Sequence, residues 1–164
     1  MSGRFATLGG MTIRVAGIPE SVAREVRETM HAPDYGHPAH KTVAQGYGPC
    51  RLCLRTFRVG VDERILFTYN PFPEGDLPAP GPVFIHAGPC ARYDAGEFPA
   101  DLRELPMVLE GYRDSGERVI QERVAGAAIE ASLERIFAAE RADYVHIRNG
   151  EVGCFMARVE NTSR

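Results

Sequence analysis

The chain is organised around two stretches, Gly46-Tyr47-Gly48-Pro49-Cys50-Arg51-Leu52-Cys53 and Phe84-Ile85-His86-Ala87-Gly88-Pro89-Cys90-Ala91-Arg92-Tyr93. Both contain the tripeptide Gly-Pro-Cys, and each has an arginine close behind its cysteine. The segment between them includes a proline-rich stretch, Pro71 to Pro82, which predicts a surface loop because proline offers no backbone donor. Since loops at strand ends carry many functional groups, we expect the two quoted stretches to form the site.

Residues Cys50 to Val59 alternate between two kinds of side chain, and this alternation predicts a strand. One face carries apolar residues together with Cys50. The other face carries Arg51, Cys53 and Arg55. The pattern therefore predicts that the two cysteines of the Cys-x-x-Cys sequence point in opposite directions.

The rest of the chain supplies further strands, hairpins and two amphipathic helices. Apolar spacing of three and four residues predicts helices over Glu20–Met30 and Ala125–Ala139. Strands are predicted over Met11–Ala16, Ile65–Asn70 and Val83–Ala87, and hairpins over Met107–Arg113 with Glu117–Arg123 and over Tyr144–Arg148 with Glu151–Val159. We expect an α+β fold, with a mainly antiparallel sheet of about eight strands and two amphipathic helices packed on it.

The dipeptide Asn149-Gly150 predicts a two-residue type I′ turn in the last hairpin. Counting outward from this turn pairs Arg148 with Glu151 and Val145 with Cys154. Cys154 is therefore expected to pack in the core, because it falls on an aliphatic face.

Length and charge exclude several classes of protein. The chain has 164 residues and a formal net charge of −3, which predicts a single globular domain over residues 1–164 with no nucleic-acid partner. No apolar run is long enough for a membrane crossing, and no signal peptide precedes the first strand, so we expect a cytoplasmic protein without a membrane partner. Its four cysteines are then expected to be thiols.

Four stretches carry a resemblance: Gly46 to Arg55, Phe67 to Phe72, Pro80 to His86, and Cys90 to Tyr93. With them the chain resembles, over nearly its whole length, a bacterial family classed as a domain of unknown function, number 1203. The resemblance implies one domain and assigns no activity, substrate or catalytic residue. It also implies that the pair Cys50-Arg51 is a more regular family feature than Cys53, which weighs against a paired-cysteine metal site.

Our preferred interpretation of the two stretches is a binding site for a small polar or anionic molecule. Glycines allow backbone N–H groups to converge there, and arginine and tyrosine side chains supply further donors. His86 adds an acid or a base. The residues expected to bind the ligand are Tyr47, Cys50, Arg51, Cys53, His86, Arg92 and Tyr93. No phosphate loop, nucleophile elbow or His-Glu-x-x-His motif is present, so no cofactor is expected.

A metal is not expected either, because a Cys-x-x-Cys ligand pair normally lies on a tight turn and a strand is predicted after Cys50. If a metal is bound, its ligands are Cys50, Cys53, His86 and Cys90, an ordinary set for structural zinc. Three further interpretations stay open. The chain could be a structural or protein-interaction module whose cysteines only pack, Cys53 could be a reactive thiol beside its arginines, and His37 and His40 could hold a metal.

Overall fold

The structure is a computed structural model that describes residues 7–8, 10–46, 48–72 and 80–163. Along these residues the elements are β1 (Thr7–Leu8), β2 (Met11–Ala16), α1 (Glu20–Thr29), β3 (His40–Val43), β4 (Glu63–Tyr69), β5 (Gly81–His86), β6 (Asp94–Ala95), α2 (Ala100–Arg103), β7 (Met107–Tyr112), β8 (Arg118–Val124), α3 (Ile129–Ala138), β9 (Tyr144–Asn149) and β10 (Phe155–Asn161). The order and pairing of these elements confirm the α+β class.

Contacts between residues divide the chain into two compact units. The large-sheet unit comprises Met1–Ala16 and Asp94–Arg164, and the cysteine unit comprises Gly17–Tyr93. That the two units make up one domain, as the sequence suggests, stays a prediction.

In the large-sheet unit the strands follow the order β1-β2-β10-β9-β7-β8, with β6 beside β2. The predicted β7–β8 hairpin is confirmed. Helix α3 begins after a short 3-10 turn, Gly126–Ala128, so the predicted start at Ala125 was too early. The apolar stripe of α3 is buried, as predicted. Gly111 on β7 gives this stripe room, because a Cβ at Gly111 would lie 2.9 Å from Ile136 Cγ2.

The register predicted for the last hairpin is wrong. Arg148 pairs with Phe155 and Val145 pairs with Val159, so the connection is longer than two residues. The side chain of Asn149 explains the difference, since its Oδ1 accepts hydrogen bonds from the backbone N–H groups of the next residues along the turn. Cys154 consequently lies in the connection and is half-buried rather than in the core.

Among the described residues of the large-sheet unit, one acidic side chain and one histidine are buried in the sheet. Glu110 is 3% exposed and pairs with Arg148 and Arg118. His146 is 0% exposed and packs against the rings of Tyr112, Tyr144 and Phe155. Burial, followed by the charges of Arg158 and Arg148, lowers the pKa of His146 to about 3, so this imidazole is neutral at ordinary pH.

The cysteine unit contains an antiparallel sheet of order β3-β4-β5 and the helix α1. The prediction of α1 is confirmed to within one residue: Pro19 precedes it, and Met30 ends it in a left-handed conformation with φ 53°. Between α1 and the cysteine-rich stretch, residues 31–46 include β3, an edge strand of this sheet. Among the helices that the structure describes, none combines the length and apolarity needed to cross a bilayer.

Candidate metal centre

The strand predicted over Cys50 to Val59 is wrong, because the chain reverses direction where this strand should begin. Leu54 N donates to Cys50 O at 2.8 Å, and Cys50 N donates to Arg55 O at 2.8 Å. Leu54 has φ 59°, a left-handed conformation that occurs in turns and not in strands. We call residues Cys50 to Leu54 the cysteine turn.

The alternation of Leu52 and Leu54 predicted a strand, although both residues belong to the cysteine turn. Leu52 and Leu54 are each 1% exposed, because the whole cysteine turn is packed into the interior of its unit. Apolar residues at alternate positions are typical of a half-buried strand, but a buried turn of this length gives the same pattern. The prediction that Cys50 and Cys53 point in opposite directions assumed an extended strand, and the backbone here forms a turn instead.

Backbone hydrogen bonds attach the cysteine turn to its neighbours. Arg51 N donates to Phe84 O of β5 at 2.9 Å, and Tyr93 N donates to Leu52 O at 2.8 Å. On the other side, Ile18 N donates to Arg51 O at 2.9 Å. The turn is thereby fixed against β5, against the loop that follows β5, and against the residues that precede α1.

Four metal-ligating side chains converge at this junction: Cys50, Cys53, His86 and Cys90. Their ligand atoms all lie within 4.8 Å of one another. Cys50 Sγ is 3.8 Å from Cys90 Sγ, and Cys53 Sγ is 3.4 Å from His86 Nδ1. We refer to these four residues as the Cys3His cluster.

The two separations agree with the edges of a zinc tetrahedron. Zn–S bonds of about 2.3 Å and a Zn–N bond of about 2.0 Å, at tetrahedral angles, place two sulfurs about 3.8 Å apart and a sulfur and a nitrogen about 3.5 Å apart. The observed values are 3.8 Å for Cys50 and Cys90 and 3.4 Å for Cys53 and His86. The ligand types therefore fit a tetrahedral zinc ion, and so do these two of the six separations between ligand atoms.

The ring of His86 is held from both sides. Its Nδ1 points to Cys53 in the cluster, and its Nε2 lies 3.4 Å from Asp62 Oδ2. Asp62 is itself positioned by Arg58, whose backbone N and Nε donate to the carboxylate at 2.8 Å and 3.0 Å. Metal-binding histidines usually have such a carboxylate on the second ring nitrogen, which fixes the tautomer and raises the basicity of the ligand atom.

Two sulfurs of the cluster accept hydrogen bonds from N–H groups. The backbone N of His86 donates to Cys50 Sγ at 3.3 Å, and Arg27 Nη2 donates to Cys90 Sγ at 3.3 Å. The same guanidinium donates to His86 O at 3.0 Å and 3.1 Å, so α1 is tied to the end of β5. These donors stabilise negative charge on sulfur.

The three cysteines of the cluster differ in the direction in which their pKa is shifted. Hydrogen bonds from Cys53 and then Cys90 hold the pKa of Cys50 far below its ordinary value. The same contacts with Cys50 raise the pKa of Cys53 and of Cys90. The pKa of His86 is raised chiefly by its hydrogen bond with Cys50. Three thiols around one point thus favour a first thiolate at Cys50.

The residues predicted to bind a ligand separate into two groups. Cys50, Cys53 and His86 belong to the cluster. By contrast, the guanidinium of Arg51 donates to Pro49 O at 2.6 Å, and that of Arg92 donates to the carbonyls of residues 17 and 18. Tyr93 contributes backbone hydrogen bonds with residues 17 and 52. Tyr47 lies outside the described residues.

Sequence reasoning missed Arg27 and Asp62, which support the cluster from outside. Arg27 lies on the predicted helix, and Asp62 lies in a turn before β4. Neither belongs to a motif, and only the fold brings them close. Elsewhere in the described ranges no three His, Cys, Asp or Glu side chains form a comparable group, and His37 stacks on Tyr35.

A cavity of about 290 Å³ opens beside the cluster. Its wall is formed by Glu20, Arg24, Arg27, Glu28, Leu52 and Cys90. Cys90 is therefore the cluster member that this cavity reaches.

The fold and the cluster define an α+β protein with a Cys3His constellation at the end of a small antiparallel sheet. The chain belongs to the family described as "Protein of unknown function (DUF1203)", whose model matches residues 47–161. This match confirms the resemblance noted in the sequence, and it includes all four cluster residues. Comparisons with curated proteins and with solved structures gave no significant match.

Substitution of Gly17 tests whether the cysteine turn depends on the close approach of its backbone to residue 17. A Cβ at Gly17 would lie 2.2 Å from Leu52 O and 2.6 Å from Arg51 O, both backbone atoms that cannot move independently. We predict that Gly17→Ala lowers the free energy of unfolding by about 3 kcal/mol, the upper part of the range for overpacking. Urea denaturation measures this change.

Gly88→Ala is the matched control for this substitution. A Cβ at Gly88 meets nothing within 4 Å, and Gly88 does not have a positive φ. Its free energy of unfolding should stay within about 0.5 kcal/mol of the unsubstituted protein. Equal effects of the two substitutions would show that the contact of Gly17 with the cysteine turn is unimportant.

Proposed function

We propose that the cysteine unit is a zinc-binding module, which holds one ion through Cys50 Sγ, Cys53 Sγ, His86 Nδ1 and Cys90 Sγ. The observation that carries this proposal is the orientation of His86, with Nδ1 toward Cys53 and Nε2 toward Asp62. Packing alone gives a histidine no reason to bridge thiols and a carboxylate in this way, whereas a metal ligand needs such support.

The donor set favours zinc over other metals. Thiolate sulfur and imidazole nitrogen in a tetrahedron are typical of Zn²⁺, whereas Mg²⁺ and Ca²⁺ require oxygen ligands. Three thiolates and one Zn²⁺ leave a net charge of about −1 on the site. The guanidinium of Arg27, 3.3 Å from Cys90 Sγ, compensates this charge.

The role best supported for such a zinc ion is structural. Four protein ligands fill the tetrahedron, and a catalytic site would keep one position for water or substrate. The ion would join the cysteine turn to the end of β5 and to the loop that carries Cys90. A unit near roughly 70–80 residues is at the size where a single apolar core is marginal and a metal cross-link adds needed stability.

Binding of a small polar or anionic molecule is the weaker of two candidate functions. The cavity beside Cys90, with Arg24 and Arg27 in its wall, supports it. However, Glu20 and Glu28 line the same cavity and oppose an anion. The guanidinium groups of Arg51 and Arg92 donate to backbone carbonyls, which is a structural use. A packing or interaction module explains the buried thiols but not the arrangement around His86.

The zinc proposal predicts one zinc ion per chain in protein purified without chelators. Inductively coupled plasma mass spectrometry and native mass spectrometry measure this ratio. Free zinc at about a thousand times its Kd adds about 4 kcal/mol to stability. A strong chelator should therefore lower the Tm by about 8–16 °C.

Substitutions of cysteine separate specific from incidental zinc binding. Cys53→Ser should abolish the bound zinc, because it removes one of four ligands. Cys154→Ser is the matched control, since Cys154 is a half-buried thiol outside the cluster. The proposal is wrong if the protein neither contains nor takes up zinc, or if the two variants retain equal amounts.

Asp62 provides a test that leaves all four ligands intact. We predict that Asp62→Asn weakens zinc binding by about 10–100-fold, the usual effect of removing a carboxylate behind a ligating histidine. Competition with a chromophoric chelator measures the Kd.

The control for Asp62 is Arg58→Gln. Arg58 contacts the carboxylate of Asp62, is 76% exposed, and does not belong to the cluster. This variant should bind zinc within about threefold of the unsubstituted protein, because the backbone N–H of residue 58 still donates to Asp62 and the exposed ion pair that is lost contributes little. Unchanged affinity in Asp62→Asn would contradict the role assigned to His86.

A further inference from the structure

The three cysteines of the cluster differ in their access to solvent. Cys50 is 0% exposed and Cys53 is 8% exposed, whereas Cys90 is half-buried and lines the 290 Å³ cavity. A thiolate reacts with an oxidant only if the oxidant reaches it. The cavity gives a small oxidant a path to Cys90 and to neither of the other two sulfurs.

The side chain of Arg27 places a positive charge next to the sulfur of Cys90. Its Nη2 donates to Cys90 Sγ at 3.3 Å, and its side chain forms part of the same cavity wall. A cationic donor beside a sulfur stabilises the negative charge that Cys90 carries as a zinc ligand, and a charged sulfur is the nucleophilic form. The sulfur that the cavity reaches is thus also the sulfur that faces a positive charge.

Cys50 is placed to complete a disulfide with Cys90. The two sulfurs are 3.8 Å apart, and a disulfide bond requires about 2.05 Å. The sulfurs would therefore have to approach each other by about 1.8 Å for the bond to form. Oxidation-sensitive cysteines commonly have such a resolving thiol next to them.

We propose that Cys90 is an oxidation site that controls the bound metal, an assignment that rests on the proposed zinc site. The Cys90 thiolate attacks one oxygen of a hydroperoxide such as H₂O₂, forming a sulfenic acid and releasing hydroxide. The Cys50 thiolate then attacks the Cys90 sulfur, the S–S bond forms, and a second hydroxide leaves. Two thiolates have lost two electrons in total, and the peroxide has gained them.

The disulfide removes two of the four zinc ligands, so the ion is released to solvent. Cys53 and His86 alone are too few donors for a closed tetrahedral site. The new bond still joins the cysteine turn to the Cys90 loop, because Cys50 and Cys90 are its ends. Oxidation thus replaces the metal cross-link with a covalent one between two of the three segments that the ion would join.

The experiment treats the zinc-loaded, full-length Cys154→Ser protein with hydrogen peroxide. A chromogenic chelator follows zinc release, intact mass follows loss of two hydrogens, and peptide mapping identifies the linked cysteines. Dimedone, added early, traps the first sulfenic acid. We expect stoichiometric zinc release, a Cys50–Cys90 link and the dimedone label on Cys90.

A variant that keeps four ligands provides the matched comparison. Cys90→His replaces the accessible thiolate with an imidazole that still binds zinc, and it should release zinc at least about tenfold more slowly, because only buried thiolates remain. If this variant does not fold, the dimedone and mapping results on the parent protein decide the matter. The inference is overturned by retained zinc, by a Cys50–Cys53 link, or by first labelling of Cys50 or Cys53.

Failure of the zinc proposal has a different signature. It appears before peroxide is added, as protein that contains no zinc and binds none. In that case the same mapping on metal-free protein still decides between the cysteines: a Cys50–Cys90 link with first labelling of Cys90 keeps the assignment of the reactive thiol, and any other link rejects it.

Discussion

The reversal of the chain at the cysteine turn is the constraint on which the site depends. In an extended strand, Cys50 and Cys53 would point to opposite faces. The hydrogen bond from Leu54 N to Cys50 O and the left-handed conformation of Leu54 instead direct both sulfurs toward the end of β5. Because Gly17 carries no Cβ, the backbone of this turn can lie against the residues before α1.

The site is assembled from segments that are far apart in sequence. The cysteine turn supplies two ligands, β5 supplies His86, and the loop after it supplies Cys90. Before folding, bringing these segments together costs chain entropy that rises with the length of the loop closed. In the folded unit the hydrogen bonds of Arg51 and Tyr93 hold the segments in place. A zinc ion bound there would stabilise the closed arrangement further, because the unfolded chain does not offer a preformed site.

The cluster is supported differently on its two sides, by Asp62 at His86 and by Arg27 at Cys90. On one side, Asp62 holds the ring of His86 and takes no part in the wall of the cavity. On the other side, Arg27 contacts Cys90, which the cavity reaches. The first side favours retention of the metal, and the second favours reaction at sulfur. This asymmetry connects the structural role of the proposed zinc ion with its release on oxidation.

The sequence predicted the elements whose residues repeat over several turns or strands. Helices α1 and α3 lie where apolar periodicity placed them, except for the first residues predicted for α3, because one face of each helix is buried along its length. The β7–β8 hairpin, predicted from two strand-like runs, is also present. The same reasoning gave a wrong prediction for the cysteine turn, because its two leucines are buried by tertiary packing and not on the face of a strand. The last hairpin failed because Asn149 accepts hydrogen bonds within a longer turn. The members of the site could be named from residue type and spacing, but whether they meet depends on the direction of the chain at Leu54, for which no local residue gives a signal.

X-ray absorption spectroscopy at the zinc K-edge reports the atoms bound to the metal, and it therefore decides whether the three cysteines hold the ion. For protein purified with its metal, a Cys3His site gives three sulfur atoms at about 2.3 Å and one nitrogen at about 2.0 Å. A first shell made only of oxygen and nitrogen atoms would contradict this assignment, since the zinc would then be bound somewhere other than at the cysteines.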